Sequence, residues 1–130
     1  MNLNAETAFF GKSQEEIYTF LSDFENFKKI MPENIDKFEI TDNGFIFALK
    51  GMPSIKLKLK DRTPHSSIML ESASEQFPFT LAANISENDT NNQSKVNFNF
   101  EGKFNPMITM MVKSPLQKFI KTLSTNIEKI

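Results

Sequence analysis

The amino-acid sequence predicts an α+β fold: a curved, seven-stranded antiparallel sheet with two short helices and one long C-terminal helix packed across it. Three observations predict it. From Ile35 to Phe104, apolar and polar residues alternate with period two through six successive runs, with no helical run between them. That is the signature of an antiparallel meander. Residues 14–22 and the segment after Pro106 instead carry apolar residues at helical spacing,. Finally, fourteen Phe stand against one Tyr and no Trp, so a large apolar volume is to be buried with few internal hydrogen bonds to satisfy.

The first strand is read over Leu3 to Phe10, with Leu3, Ala5, Thr7 and Phe9 on one side. Ser13-Gln14-Glu15-Glu16 then matches a capping box, Ser at the N-cap and Glu three residues on,. Ile17, Phe20, Leu21 and Phe24 follow at helical spacing,. Asp23 and Asn26 break and recap the chain into a second short helix ending near Met31-Pro32. The residue before a proline disfavours helical geometry, which suits that stop.

Asn43-Gly44 lies between alternating runs and signals a hairpin,. With those two as loop residues, Asp42 opposes Phe45, Ile40 opposes Phe47 and Phe38 opposes Leu49. Cross-strand partners share a face, so Phe38, Ile40, Phe47 and Leu49 point inward. Gly51-Met52-Pro53 interrupts; Ile55, Leu57 and Leu59 then alternate with Lys56, Lys58 and Lys60. After a Pro64-His65 turn, Ile68 and Leu70 are in phase in the run Ser67 to Ser74. Phe79, Leu81, Ala83 and Ile85 share a face in Phe77 to Ser86, and Val96, Phe98 and Phe100 share one in Lys95 to Phe104. The polar stretch Glu87 to Ser94 is the connecting loop.

Asn105-Pro106 opens the last element, an N-cap residue followed by proline at the first helical position,. Ile108, Val112, Leu116, Phe119, Ile120, Leu123, Ile127 and Ile130 form one stripe. The helix is expected to run about 25 residues, ~37 Å. Pro115 inside it removes the bond to the Met111 carbonyl, which predicts a kink,. With no repeat or linker, residues 1–130 are read as one domain,.

Fifteen basic residues against sixteen acidic give a net charge of −1. That balance offers no electrostatic case for nucleic acid or for a polybasic membrane anchor. The absence of cysteine excludes disulfides and thiolate chemistry,. A lone histidine, His65, gives no metal cluster and reads as a surface turn residue,. No signal peptide and no apolar run of transmembrane length is visible,, so the expected compartment is the cytoplasm. The N-x-S/T triplets at Asn84, Asn88 and Asn92 are then by-products of a polar hairpin. Lys56, Lys58 and Lys60, joined by Arg62, read as a solvated strand face that discourages edge pairing,. The functional alternative for that row is a contact with an anionic surface.

The order of elements, together with the segment SQEEIYTFLSDFENF from Ser13 to Phe27, the following Ile30-Met31-Pro32, Gly51 at a strand end and the Asn105-Pro106 helix start, resembles the START-like superfamily. This superfamily, also called SRPBCC, includes the birch-pollen-allergen (Bet v 1-like) fold. The resemblance spans essentially the whole chain. It implies the helix-grip fold and a small hydrophobic ligand, such as a lipid, quinone or polyketide-like molecule, held between sheet and helix. Some members cyclise or hydrate polyketides, but their polar pocket residues have no counterpart in this sequence.

A binding site is usually a mostly apolar cavity with a few converging polar groups. By strand phase, the ligand-lining candidates are Phe38, Phe47, Leu57, Leu70, Phe79, Leu81, Phe98 and Phe100. Met107, Met110 and Met111 join them as an adaptable wall at the mouth, the alternative being gap-filling in the core,. Inward polarity is limited to Thr7, Ser72 and Asp42, so no catalytic residue, metal ligand or cofactor is assigned and the reading leans away from an enzyme. The leading expectation is a non-enzymatic container for a small hydrophobic molecule. An interaction module with a filled cavity and a protein partner is the second, a cyclase- or hydratase-like enzyme the third.

Overall fold

The computed structural model describes residues 2–5, 7–50, 54–73, 78–87 and 94–129, with Phe10 described by its backbone alone. The expected chain break at Gly51-Met52-Pro53, the strand start at Phe77, most of the loop after Glu87 and the stripe residue Ile130 lie outside the described residues.

The expected first strand is two, β1 (Asn2–Asn4) and β2 (Ala8–Phe10), both antiparallel to the strand Ser94–Gly102. Asn4 opposes Asn99 and Ala8 opposes Val96, so the N-terminal side gains one residue on its partner. Such a gain reverses the side-chain phase. Leu3 and Ala5 are therefore buried, and then Ala8; Thr7 and Phe9, expected inward, are exposed.

Helix α1 (Gln14–Ser22) begins at the expected capping box. The Glu16 amide donates to Ser13 Oγ at 3.2 Å, and the Ser13 amide to Glu16 Oε1 at 3.4 Å. It buries Ile17 and Leu21. A 3-10 turn (Phe24–Asn26) follows, capped by Asp23 Oδ1, which accepts from the Glu25 amide at 3.1 Å. Asn26 ties this turn back by donating to the Phe20 carbonyl at 2.9 Å. Helix α2 (Phe27–Ile30) then stops at Met31, before Pro32.

The meander comprises β3 (Ile35–Ile40), β4 (Gly44–Leu49), β5 (Ile55–Thr63), β6 (Ser67–Ser72), β7 (Phe79–Glu87) and β8 (Ser94–Gly102). The sheet runs in the order β1-β8-β7-β6-β5-β4-β3, with β2 also on β8. The first hairpin has its loop at Asp42-Asn43: Ile40 opposes Phe45, Phe38 opposes Phe47 and Ile35 opposes Leu49. The pairing is two residues away from the expected one. A shift of two preserves the face, so Phe38, Phe47 and Leu49 still point inward. Asp42 is exposed in the turn, and Ile40, at the hairpin tip, is 45% exposed.

Because β5 lies between β4 and β6, its lysine row is not on a sheet edge and protects none. Lys58 pairs with Glu71 at 3.7 Å, both partly exposed on the sheet's outer face. Helix α3 (Pro106–Ile127) has 22 residues, with Pro115 inside it. Asn105 Oδ1 accepts from the Ile108 amide at 2.9 Å and Pro106 sits at the first turn, as expected. Leu116, Phe119, Ile120, Leu123 and Ile127 are buried against the concave side of the sheet, whereas Ile108 and Val112 are only half-buried. The fold is thus the helix grip. Among the described residues, no helix is long and apolar enough to cross a membrane.

Candidate functional site

The inner faces of the strands meet in register. Phe47 opposes Ile55, Phe45 opposes Leu57, Leu59 opposes Leu70, Leu70 opposes Leu81, and Leu81 opposes Phe100. Of the residues expected to line a cavity, Phe47, Leu57, Leu70, Leu81, Phe98 and Phe100 are buried in one apolar cluster, with Phe79 beside them and Phe38 half-buried at its margin. Two aromatic groups anchor this cluster. Phe45 touches the rings of Phe24, Phe27, Phe38 and Phe47, with the closest centroid, that of Phe27, at 5.0 Å. Phe79 stacks on Phe100 at 4.8 Å, and Phe100 meets Phe104 at 6.4 Å. Phe45 is fully buried and central. It was not among the expected lining residues, although its place two residues before Phe47 put it in the same phase.

Helix α3 is held unevenly. At its C-terminal end, the Asn126 side-chain amide donates to the carbonyls of Ile30 at 3.0 Å and Met31 at 3.3 Å. Its middle is joined to the sheet by Phe119, whose ring stacks on Phe47. Its first half is different: Met107, Met110 and Met111 are 72%, 83% and 71% exposed. Their spacing places all three on one helix face. They do not fill the core, and Met111 reaches the wall of a groove.

That groove, of about 370 Å³, lies between α3 and the open end of the β3–β4 hairpin. Met111, Ser114, Pro115, Lys118, Phe119 and Thr122 line it from the helix, and Pro32, Asn34, Leu49 and Lys50 from the other side. The Lys50 amide donates to the Asn34 carbonyl at 2.9 Å, which fixes that second wall. Leu49 and Phe119 are both buried. The groove thus has an apolar floor continuous with the core and a polar rim. A second depression, about 540 Å³, lies where β6, β7 and β8 meet and combines Phe79 with two lysines and two glutamates.

Ser72 faces inward opposite Leu57 and is half-buried, as expected. Among the described residues, the buried polar side chains are Ser94 and Ser124. Ser94 donates its hydroxyl to the Lys12 carbonyl at 2.7 Å, a link between β8 and the segment before α1. His65 sits in the β5–β6 turn at φ 67, its ring edge-on to Tyr18 at 5.6 Å. Its carbonyl accepts from Gln14 at 2.9 Å. No group of three His, Cys, Asp or Glu among the described residues is placed to hold a metal ion.

Comparison with solved structures agrees with the architecture. A START superfamily protein from Mycobacterium smegmatis aligns with a TM-score of 0.70 at 13% identity, over 98% of this chain and 94% of that one. The KanY protein aligns with a TM-score of 0.80 at 12% identity, over 99% and 95%. The di-domain ARO/CYC protein BexL, from the BE-7585A biosynthetic pathway, aligns with a TM-score of 0.66 at 12% identity. That match covers 98% of this chain and 46% of BexL. No family model matches the sequence, and no curated protein does. The chain has the START-like, Bet v 1-like fold.

Proposed function

We propose that this protein binds a small hydrophobic molecule between the sheet and the C-terminal helix, entering through the groove beside Pro115. One observation carries the reading: α3 is fastened to the body by Asn126 and Phe119, while in its first half the Met107, Met110 and Met111 face stands in solvent and Ile108 and Val112 are only half-buried, and the groove opens where the two regimes meet. Its volume falls within the usual range for small-molecule sites, roughly 300–1,000 Å³. Burial of ligand surface at about 25 cal/mol per Å² drives such binding, and the exposed methionines offer an adaptable apolar approach to the floor. A START superfamily protein and an ARO/CYC protein among the fold neighbours are in keeping with a container of this kind.

The test is a fluorescence titration with an apolar dye, displaced by dodecan-1-ol. One saturable site is expected, weakened by Met111→Trp, which fills the groove from an exposed rim position without touching the core. Non-saturable dye binding, or saturable binding indifferent to Met111→Trp, would overturn the assignment.

A further inference from the structure

Both walls of the groove repeat one arrangement, a buried apolar residue next to an exposed lysine: Leu49 with Lys50 on the hairpin side, Phe119 with Lys118 on the helix. We infer that the ligand is an amphiphile with a single anionic head, its carboxylate held at the rim between Lys50 and Lys118 and its apolar tail laid over Leu49 and Phe119. This rests on the reading that the groove is the binding site, and it names the class of molecule bound there.

Lys50 and Lys118 are the charged residues of the lining, and no carboxylate shares it. Glu33, which lies between Pro32 and Asn34 in the chain, is exposed and outside the lining. Among the described residues neither lysine has a carboxylate within ion-pair distance; the ion pairs there are Lys37–Glu39 and Lys58–Glu71. Two cations facing one concavity repel each other, and an anion between them removes that repulsion.

The polar groups beside them suit the same head. Ser114 brings a hydroxyl that can donate, and Asn34 an amide,. Thr122 is already committed, donating to the Lys118 carbonyl at 2.8 Å. One group opposes: Pro115 has no N–H for the Met111 carbonyl, which therefore remains an acceptor near the rim,. A single carbonyl dipole is weaker than two full charges, so the anion is favoured. Helix α3 adds to the bias, because Pro106–Ile127 contains three lysines and no acidic residue.

The experiment compares dodecanoate with dodecan-1-ol, below micelle formation and with the carboxylate ionised, by isothermal titration of the wild type, Lys50→Gln, Lys118→Gln and the double variant. Both lysines are exposed, so each is expected to contribute only a few-fold. Dodecanoate should bind roughly tenfold more tightly than the alcohol, lose about threefold with each substitution, and fall to the alcohol's affinity in the double variant. Dodecan-1-ol should be unaffected by either change. Equal binding of acid and alcohol at one site would overturn the anionic head and leave the container reading standing. An acid preference that survives the double substitution would overturn the placement of the head between Lys50 and Lys118. Failure of both probes to bind at one site would overturn both.

Discussion

The ring of Phe119 lies parallel to that of Phe47, with centroids 4.9 Å apart and planes 10° apart, and this contact joins the middle of α3 to strand β4. Both rings are buried. Phe47 continues through Phe45 to Phe27, so one aromatic chain runs from the long helix along β4 to α2. Removing its helical end should unfasten more than one side chain. Phe119→Ala is expected to destabilise the protein by about 3–5 kcal/mol, read from the urea midpoint. Phe119→Leu, which keeps most of the apolar volume, should cost distinctly less. Equal losses would mean that ring stacking rather than filled volume holds the helix down.

Asn126 makes the other fastening. Helix α2 ends at Ile30, and Pro32 brings no amide, so the last carbonyls of that short helix need an outside donor,. Asn126 supplies it to both Ile30 and Met31. Asn126→Ala should cost about 1–2 kcal/mol. Asn126→Asp should cost more, because an acceptor then faces two carbonyls. Amide exchange should quicken in the last turn of α3 in both variants; unchanged exchange there would show that apolar packing alone holds that end.

Gly44 opens β4 for lack of room. A Cβ on it would run into the carbonyl oxygen of Leu57 on the neighbouring strand β5. Gly44→Ala must therefore push two strands apart, and is expected to cost about 3 kcal/mol, the upper end of overpacking penalties. Gly11 is the internal control: nothing lies within 4 Å of a Cβ placed there. Gly11→Ala should stay within about 0.5 kcal/mol of wild type. Comparable losses at both positions, measured by chemical unfolding, would refute the steric account.

The same glycine shows what the sequence could and could not convey. Asn43-Gly44 marked a hairpin correctly, but its glycine answers a contact with β5, a strand beginning eleven residues later, and no local turn rule encodes that. The face assignment survived because side chains repeat every two residues and the register differed by two. At the N-terminus the shift was by one. There the phase reversed, and Thr7 and Phe9 came out exposed while Ala8 went in. The helical caps at Ser13, Asp23 and Asn105 were legible because each bonds within three residues of itself. The groove was not. Lys50 and Lys118 are far apart in sequence, and each alone reads as an ordinary solvated charge. Periodicity likewise placed the methionines on the apolar side of α3, but it does not say how far along the helix the sheet follows.

Pro115 ties stability to access. It sits within the continuous helix Pro106–Ile127, half-buried in the groove wall, where it withholds one helical hydrogen bond. A proline in a helix interior costs about 3 kcal/mol against alanine, and its removal returns about 0.4–1 kcal/mol of entropy to the unfolded chain. The difference has a definite sign. Pro115→Ala should stabilise the protein by about 2 kcal/mol in chemical unfolding and slow amide exchange through residues 106–114. It should also slow dye entry, because a continuous bond ladder stiffens the half of the helix that carries the exposed methionines. A loss of stability would show that contacts of the proline ring in the groove outweigh the missing bond. Unchanged entry kinetics in a stabilised variant would mean that the first half of α3 does not gate the groove.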